Sequence, residues 1–131
     1  MRSEQLRTEA EYTGFFRNVV VPRSDLWLAT LEGRVAGVLA LYGSELDRSY
    51  VAPEAQNRGL GSALVQHAQR LHPTGLTLVT HQRNTGARRL YERHGFDARR
   101  YGTSPPPENE PDVEYEWPGM RSHRLAPRFN P

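Results

Sequence analysis

The stretch Gln56-Asn57-Arg58-Gly59-Leu60-Gly61 sets two glycines and an arginine between an apolar run and a segment of helical spacing. Glycines there let backbone N–H groups approach an anion closely. A helix N-terminus adds partial positive charge, and Arg58 can add a direct phosphate contact. Two nucleotide-binding patterns fail on this loop. The Walker A pattern needs a lysine after its second glycine, and the chain has no lysine. The dinucleotide pattern G-x-G-x-x-G needs a third glycine, and counting from Gly59 that position is Leu64. What remains, Gln56-x-x-Gly59-x-Gly61, also reads on spacing alone as an ordinary strand-to-helix turn with a close packing point.

The elements around the loop must hold it. Leu6, Ala10, Phe15 and Phe16 have a rough helical spacing that Pro22 ends, predicting a helix over the first twenty residues. Residues 27–31 read as a strand, 32–34 as a turn, and 35–42 as a nearly continuous apolar strand. After Gly43-Ser44 a third strand spans 45–52, so three consecutive strands form an antiparallel meander. Beyond the loop, Leu60, Leu64, Ala68 and Leu71 predict a helix that ends at residues 72–75. Residues 76–80 form a short strand and 84–94 a second helix, with Ala87, Leu90, Tyr91 and His94 on one stripe. Strands over 96–101 and 113–117 flank a Pro-rich loop, 104–111. The expected order is α-β-β-β-α-β-α-β-β, an α/β fold with a mixed central sheet flanked by helices. Residues 1–118 are expected to form a single domain, and 119–131 a polar, Arg- and Pro-rich tail.

Composition bounds the function classes. The chain has 131 residues, the size of one domain, enough to bury roughly two-thirds of the unfolded chain's surface. It has no cysteine, which excludes disulfides and thiolate metal sites, and no metal is expected. No early apolar h-region and no long apolar run is present, so neither a signal peptide nor a membrane contact is expected, and the cytoplasm is the default location. The formal net charge is +2 with all 17 basic residues arginine, and the isoelectric point is near 9.3. The arginines scatter along the chain and form no basic block interleaved with aromatics, so no nucleic-acid partner is expected.

A second segment changes the reading of the loop. "NTGARRLYERHGF", residues 84–96, together with "YVAPEAQNRGLGSALVQHA", residues 50–68, closely resembles the GNAT family of N-acetyltransferases. The first-named segment is similar to that family's Asn-x-x-Ala-x-x-x-Tyr-x-x-x-Gly-Phe pattern, and the other to its acetyl-CoA pyrophosphate loop. The closing "EPDVEYEW", residues 110–117, resembles the last strand of many members. The resemblance spans residues 25–118. It implies an acetyl-CoA-dependent N-acetyltransferase in which a primary amine of a small molecule or protein attacks the thioester directly. The alternative is a non-catalytic acyl-CoA-binding or interaction module on the same scaffold.

The resemblance also implies roles. Gln56 opens the loop motif, and the backbone amides of Arg58, Gly59, Leu60, Gly61 and Ser62 bind the CoA pyrophosphate. The strand end Tyr50, Val51 and Ala52 splays from the strand over 76–80 and lets the pantetheine arm bond as a pseudo-strand. A backbone N–H near Ser49 to Val51 polarises the acetyl carbonyl, an oxyanion-hole role. Asn84 contacts the pantetheine arm. Tyr91 is the general acid for the CoA sulfur, whose thiol has an ordinary pKa of ~8.5; without the motif it reads as a core aromatic. For the general base three readings stand. Glu45 stands at the separation from Gln56 that the catalytic glutamate has in the histone-acetylating branch, Asp47 lies two residues on along the same strand face, and His81 follows the fourth strand. Deprotonation through water is a fourth route. Glu108, Glu110 and Asp112 border the expected acceptor region and would suit a cationic amine, or are simply solvated. The family's first strand and first helix are expected to be missing, which leaves the acceptor half incomplete. It also leaves a sheet edge that a partner chain, such as a second copy, could cover.

Overall fold

Short turns and β-branched runs make the first part of the chain a meander. The structure is a computed structural model that describes residues 4–7, 13–21 and 24–120. Its internal contacts divide into two units, Met1–Ala68 and Gln69–Pro131. In the first unit, strands β1 (Glu4–Arg7), β2 (Thr13–Val21), β3 (Ser24–Leu31), β4 (Arg34–Tyr42) and β5 (Glu45–Val51) pair antiparallel in chain order. A short 3-10 turn, Pro53–Ala55, leads from β5 toward helix α1 (Leu60–Leu71).

The helix buries Leu60, Ala63, Leu64, Val65, His67 and Ala68, the stripe that its apolar spacing called for. Leu60 and Leu64 lie over Gly37 of β4. A Cβ at Gly37 would stand 3.1 Å from Leu60 Cδ2, 3.1 Å from the Tyr50 carbonyl oxygen and 3.3 Å from Leu64 Cδ1, so the close approach needs glycine. At the far end of the stripe the His67 ring meets Phe16 and Trp27 edge-on, with centroids 4.5 and 4.3 Å away.

Among the described residues the expected N-terminal helix is absent. Leu6 lies in β1 and Phe15 and Phe16 lie in β2, while Ala10 is outside the described residues. Four apolar positions matched a helical period, but the run Val19-Val20-Val21 is β-branched and stiff at χ1, which favours the extended chain. The observed order opens with five strands instead of a helix and three strands. Strands β1 and β2 thus stand ahead of β3 where a helix was expected, and β2 bonds to β3 from Ser24 to Thr30.

In the second unit, β8 (Pro111–Trp117) lies between β6 (Leu76–His81) and β7 (Asp97–Thr103), antiparallel to both. Leu78 faces Tyr115 and Leu76 faces Trp117 across the β6–β8 ladder, and all four are buried. Helix α2 (Thr85–Arg93) sets Tyr91 against this layer, with Tyr115 and Phe96 at centroid distances of 6.2 and 5.7 Å. Met120 donates its N–H to the Pro73 carbonyl at 3.0 Å; residues 121–131 of the expected tail lie outside the described residues.

Candidate active site

The loop ahead of α1 turns through two left-handed residues. Asn57 has φ +63° and Gly59 φ +83°, a left-handed conformation that glycine adopts without steric cost. The Gly59 carbonyl accepts the first bond of the helix, from Ala63 N–H at 3.0 Å, so Gly59 stands at the cap. Having no side chain, it cannot cap the first turn. The N–H groups of Leu60 and Gly61 have no carbonyl ahead of them in the helix, and no acidic residue stands in that turn. Arg58 is exposed beside them. Oriented donors, the helix dipole and one cation are features that suit an anion of phosphate type.

The strand before the loop is held in register with it. Ala52 N–H donates to the Ala36 carbonyl at 2.8 Å. Antiparallel alternation therefore turns the N–H and C=O of Val51 away from β4. The outward carbonyl of Val51 accepts from Gln56 Nε2 at 3.2 Å, which ties the motif glutamine to the end of β5. Tyr50 is 53% exposed and Ala52 is buried.

The two candidate carboxylates on β5 stand in different backbone settings. Leu41 pairs with Leu46 and Ala40 with Arg48, so Asp47 is an extra residue in the ladder, a β-bulge. The bulge breaks the simple alternation that would align Glu45 with Asp47. Glu45 instead shares its face with Arg48 and Tyr50, and is half-buried where Asp47 is exposed.

In the second unit Asn84 caps α2: its Oδ1 accepts from Ala87 N–H at 3.2 Å. The cap sets the start of the helix that carries Tyr91, which is 7% exposed. His81, at the end of β6, has Nε2 3.7 Å from Glu108 Oε2. Arg83 NH1 stands 3.8 Å from Glu110 Oε1. Glu108 and Glu110 thus already face basic side chains of their own unit. The loop itself is closed by Ser104, whose N–H donates to the Glu110 carbonyl at 2.8 Å and whose Oγ accepts from Glu110 N–H at 3.0 Å.

One cluster went unforeseen. Tyr115 OH accepts from Arg88 Nε at 3.0 Å and donates to Glu92 Oε2 at 2.6 Å. Arg88 also donates to Tyr101 OH at 3.1 Å and to the Gln82 carbonyl at 3.2 Å. Burial raises the Tyr115 pKa above the ordinary tyrosine value; the Arg88 bond opposes this and Glu92 adds to it. The bond to Tyr115 is the first cause of a raised Arg88 pKa. The sequence did carry a hint: Arg88 and Glu92 are four apart on one helix, and Tyr115 is in phase with the buried Val113 and Trp117. Their meeting through β8 is a long-range pairing that spacing does not reveal.

A β-meander, a glycine-capped helix and a following strand–helix unit define the class, and the profile of the acetyltransferase (GNAT) domain matches residues 22–98. The chain belongs to this family. It is 35% identical over 77 residues to peptidyl-lysine N-acetyltransferase YjaB of Salmonella typhimurium, covering 58% of this chain and 52% of that protein. It is 33% identical over 81 residues to peptidyl-lysine N-acetyltransferase YiaC of Escherichia coli, covering 61% and 55%. The solution structure of apo-form YjaB from Escherichia coli superposes with a TM-score of 0.64 at 26% identity, over 72% of this chain and 65% of that one. The chain spans about half the length of the two curated relatives.

Proposed function

We propose that the protein is an acetyl-CoA-dependent N-acetyltransferase whose acceptor is a primary amine, with the lysine side chain of a protein as the leading substrate class. The observation that carries this reading is the cap of α1: a left-handed glycine, first-turn N–H groups without an intrahelical partner, no acid in that turn and Arg58 alongside. The names of the curated relatives support the lysine acceptor.

Acetyl-CoA supplies an activated acyl carbon. The chain's residues do the rest. The amides of Gly59, Leu60, Gly61 and Ser62, with Arg58, hold the pyrophosphate. The outward backbone of Val51 serves the acyl end, Val51 N–H as donor to the carbonyl oxygen, and Gln56 keeps that strand end in place. The amide nitrogen of Asn84 meets the pantetheine arm, its oxygen being spent on the cap. Tyr91 delivers a proton to the departing sulfur. Glu45 is the preferred candidate for the general base, because it is half-buried in a regular part of β5 whereas Asp47 sits on the bulge.

Titration calorimetry with acetyl-CoA tests the binding half. One-to-one binding is expected, weakened about tenfold in Arg58→Ala through loss of a charge-assisted contact. Absence of any heat with acetyl-CoA would sink the reading. The burial of Tyr91 favours a second reading, a non-catalytic acyl-CoA-binding module in which that ring is only core. Binding without turnover across a panel of amines would select it.

A further inference from the structure

We propose that Arg88, Glu92 and Tyr115 form a positioning unit that fixes α2 and the ring of Tyr91, so that all three are positioning residues for the proton transfer assigned to Tyr91. The inference rests on that assigned role. Arg88 and Glu92 stand four apart on α2 and grip one hydroxyl from both sides, Arg88 donating to Tyr115 OH at 3.0 Å and Glu92 accepting from it at 2.6 Å. Tyr115 is fully buried in the middle strand of its unit, so the grip fastens a helix to the least movable part of the layer beneath it.

Arg88 then reaches two further elements. It donates to Tyr101 OH on β7 at 3.1 Å and to the Gln82 carbonyl in the β6–α2 connection at 3.2 Å, and its guanidinium carbon lies 5.7 Å from the Tyr101 ring centroid. One side chain thus joins α2 to β7, to β8 and to the segment before its own cap. A helix held at several points cannot turn about its axis. Tyr91 is three residues from Arg88 and adjacent to Glu92, so any such turn would swing its ring. The Tyr115 ring is also one wall of the Tyr91 site, with centroids 6.2 Å apart. Fixing the Tyr115 hydroxyl fixes the plane against which Tyr91 packs.

A cluster kept only for stability would not need its charge and hydroxyl to act together on one neighbour. Tyr115→Phe removes the hydroxyl and keeps the ring, and Arg88→Lys keeps the charge but cannot hold three acceptors in a planar fork. Two readouts separate the positioning claim from the reaction it serves. With isotope-labelled tyrosine, the NMR signal of Tyr91, assigned by its loss in Tyr91→Phe, is expected to shift or broaden in both variants. Arg88→Lys is the stricter case, because it leaves both rings in place. In the acetylation assay kcat is expected to fall about tenfold in both, with KM for acetyl-CoA unchanged within about twofold. An unmoved Tyr91 signal in Arg88→Lys overturns the positioning unit whether or not the protein turns over. A Tyr91 signal that moves in the variants, when the wild type itself shows no turnover, keeps the unit and overturns the reaction.

Discussion

Tyr91 carries the sharpest residue-scale prediction, because two roles compete for one side chain. Its ring packs on Phe96 and Tyr115. Tyr91→Phe keeps that packing and removes only the hydroxyl, so a purely structural residue would leave turnover intact. As the acid, its loss is expected to lower kcat about 10²-fold with acetyl-CoA affinity retained, read by steady-state kinetics and calorimetry. His94 supplies a prediction in pH. Burial first, and Arg93 second, hold its imidazole below the ordinary 6.5. The unfolded chain therefore takes up more protons than the folded one once pH drops below 6.5, and stability present above that pH is lost as pH falls through it. Thermal midpoints from about pH 7 to about pH 5 should fall less steeply in His94→Gln than in the wild type; equal slopes would contradict this. At this scale the motif positions Gln56, Gly59, Asn84 and Tyr91 stand out in the sequence because a local pattern carries them, and the roles given to them are proposals. Arg88 with Tyr115 was not, because the partners are 27 positions apart and meet only through the sheet.

Elements set how precisely those residues stand. The turn before α1 depends on Gly59 at φ +83°, where a Cβ is strained. Gly59→Ala should cost about 1–2 kcal/mol of stability and weaken acetyl-CoA binding together, measured by denaturation and calorimetry. Gly37→Ala should destabilise by about 1–3 kcal/mol, because the new methyl meets Leu60, Leu64 and the Tyr50 carbonyl. The two substitutions separate the roles: Gly37 serves packing of α1 on β4, while Gly59 is proposed to serve the ligand as well. Element identity was legible where one period dominated, as in β4, α1 and α2. It failed over the first twenty residues, where Leu6, Phe15 and Phe16 fell on a helical spacing while the valines of β2 favoured the strand. The bulge at Asp47 was also invisible in advance, since Glu-Leu-Asp reads as plain alternation until the β4 register is known.

At the scale of the whole molecule, residues 22–98 carry the GNAT domain match and contain every loop and helix residue assigned to the cofactor. No helix among the described residues is long and apolar enough to cross a membrane. The acceptor is the least legible part. The proposed acceptor border is loop 104–110, where Glu108 and Glu110 already face His81 and Arg83. A cationic acceptor would have to exchange with those partners, so its KM should rise when Glu108 is replaced by Gln if that carboxylate is part of the acceptor site. The most direct measurement is the rate of CoA release from acetyl-CoA in the presence of a lysine-containing peptide, for the wild type and for Tyr91→Phe. The proposed chemistry predicts steady release by the wild type and about 10²-fold less by Tyr91→Phe at unchanged acetyl-CoA affinity. Bound acetyl-CoA with no release by the wild type, or equal release by both proteins, would contradict it.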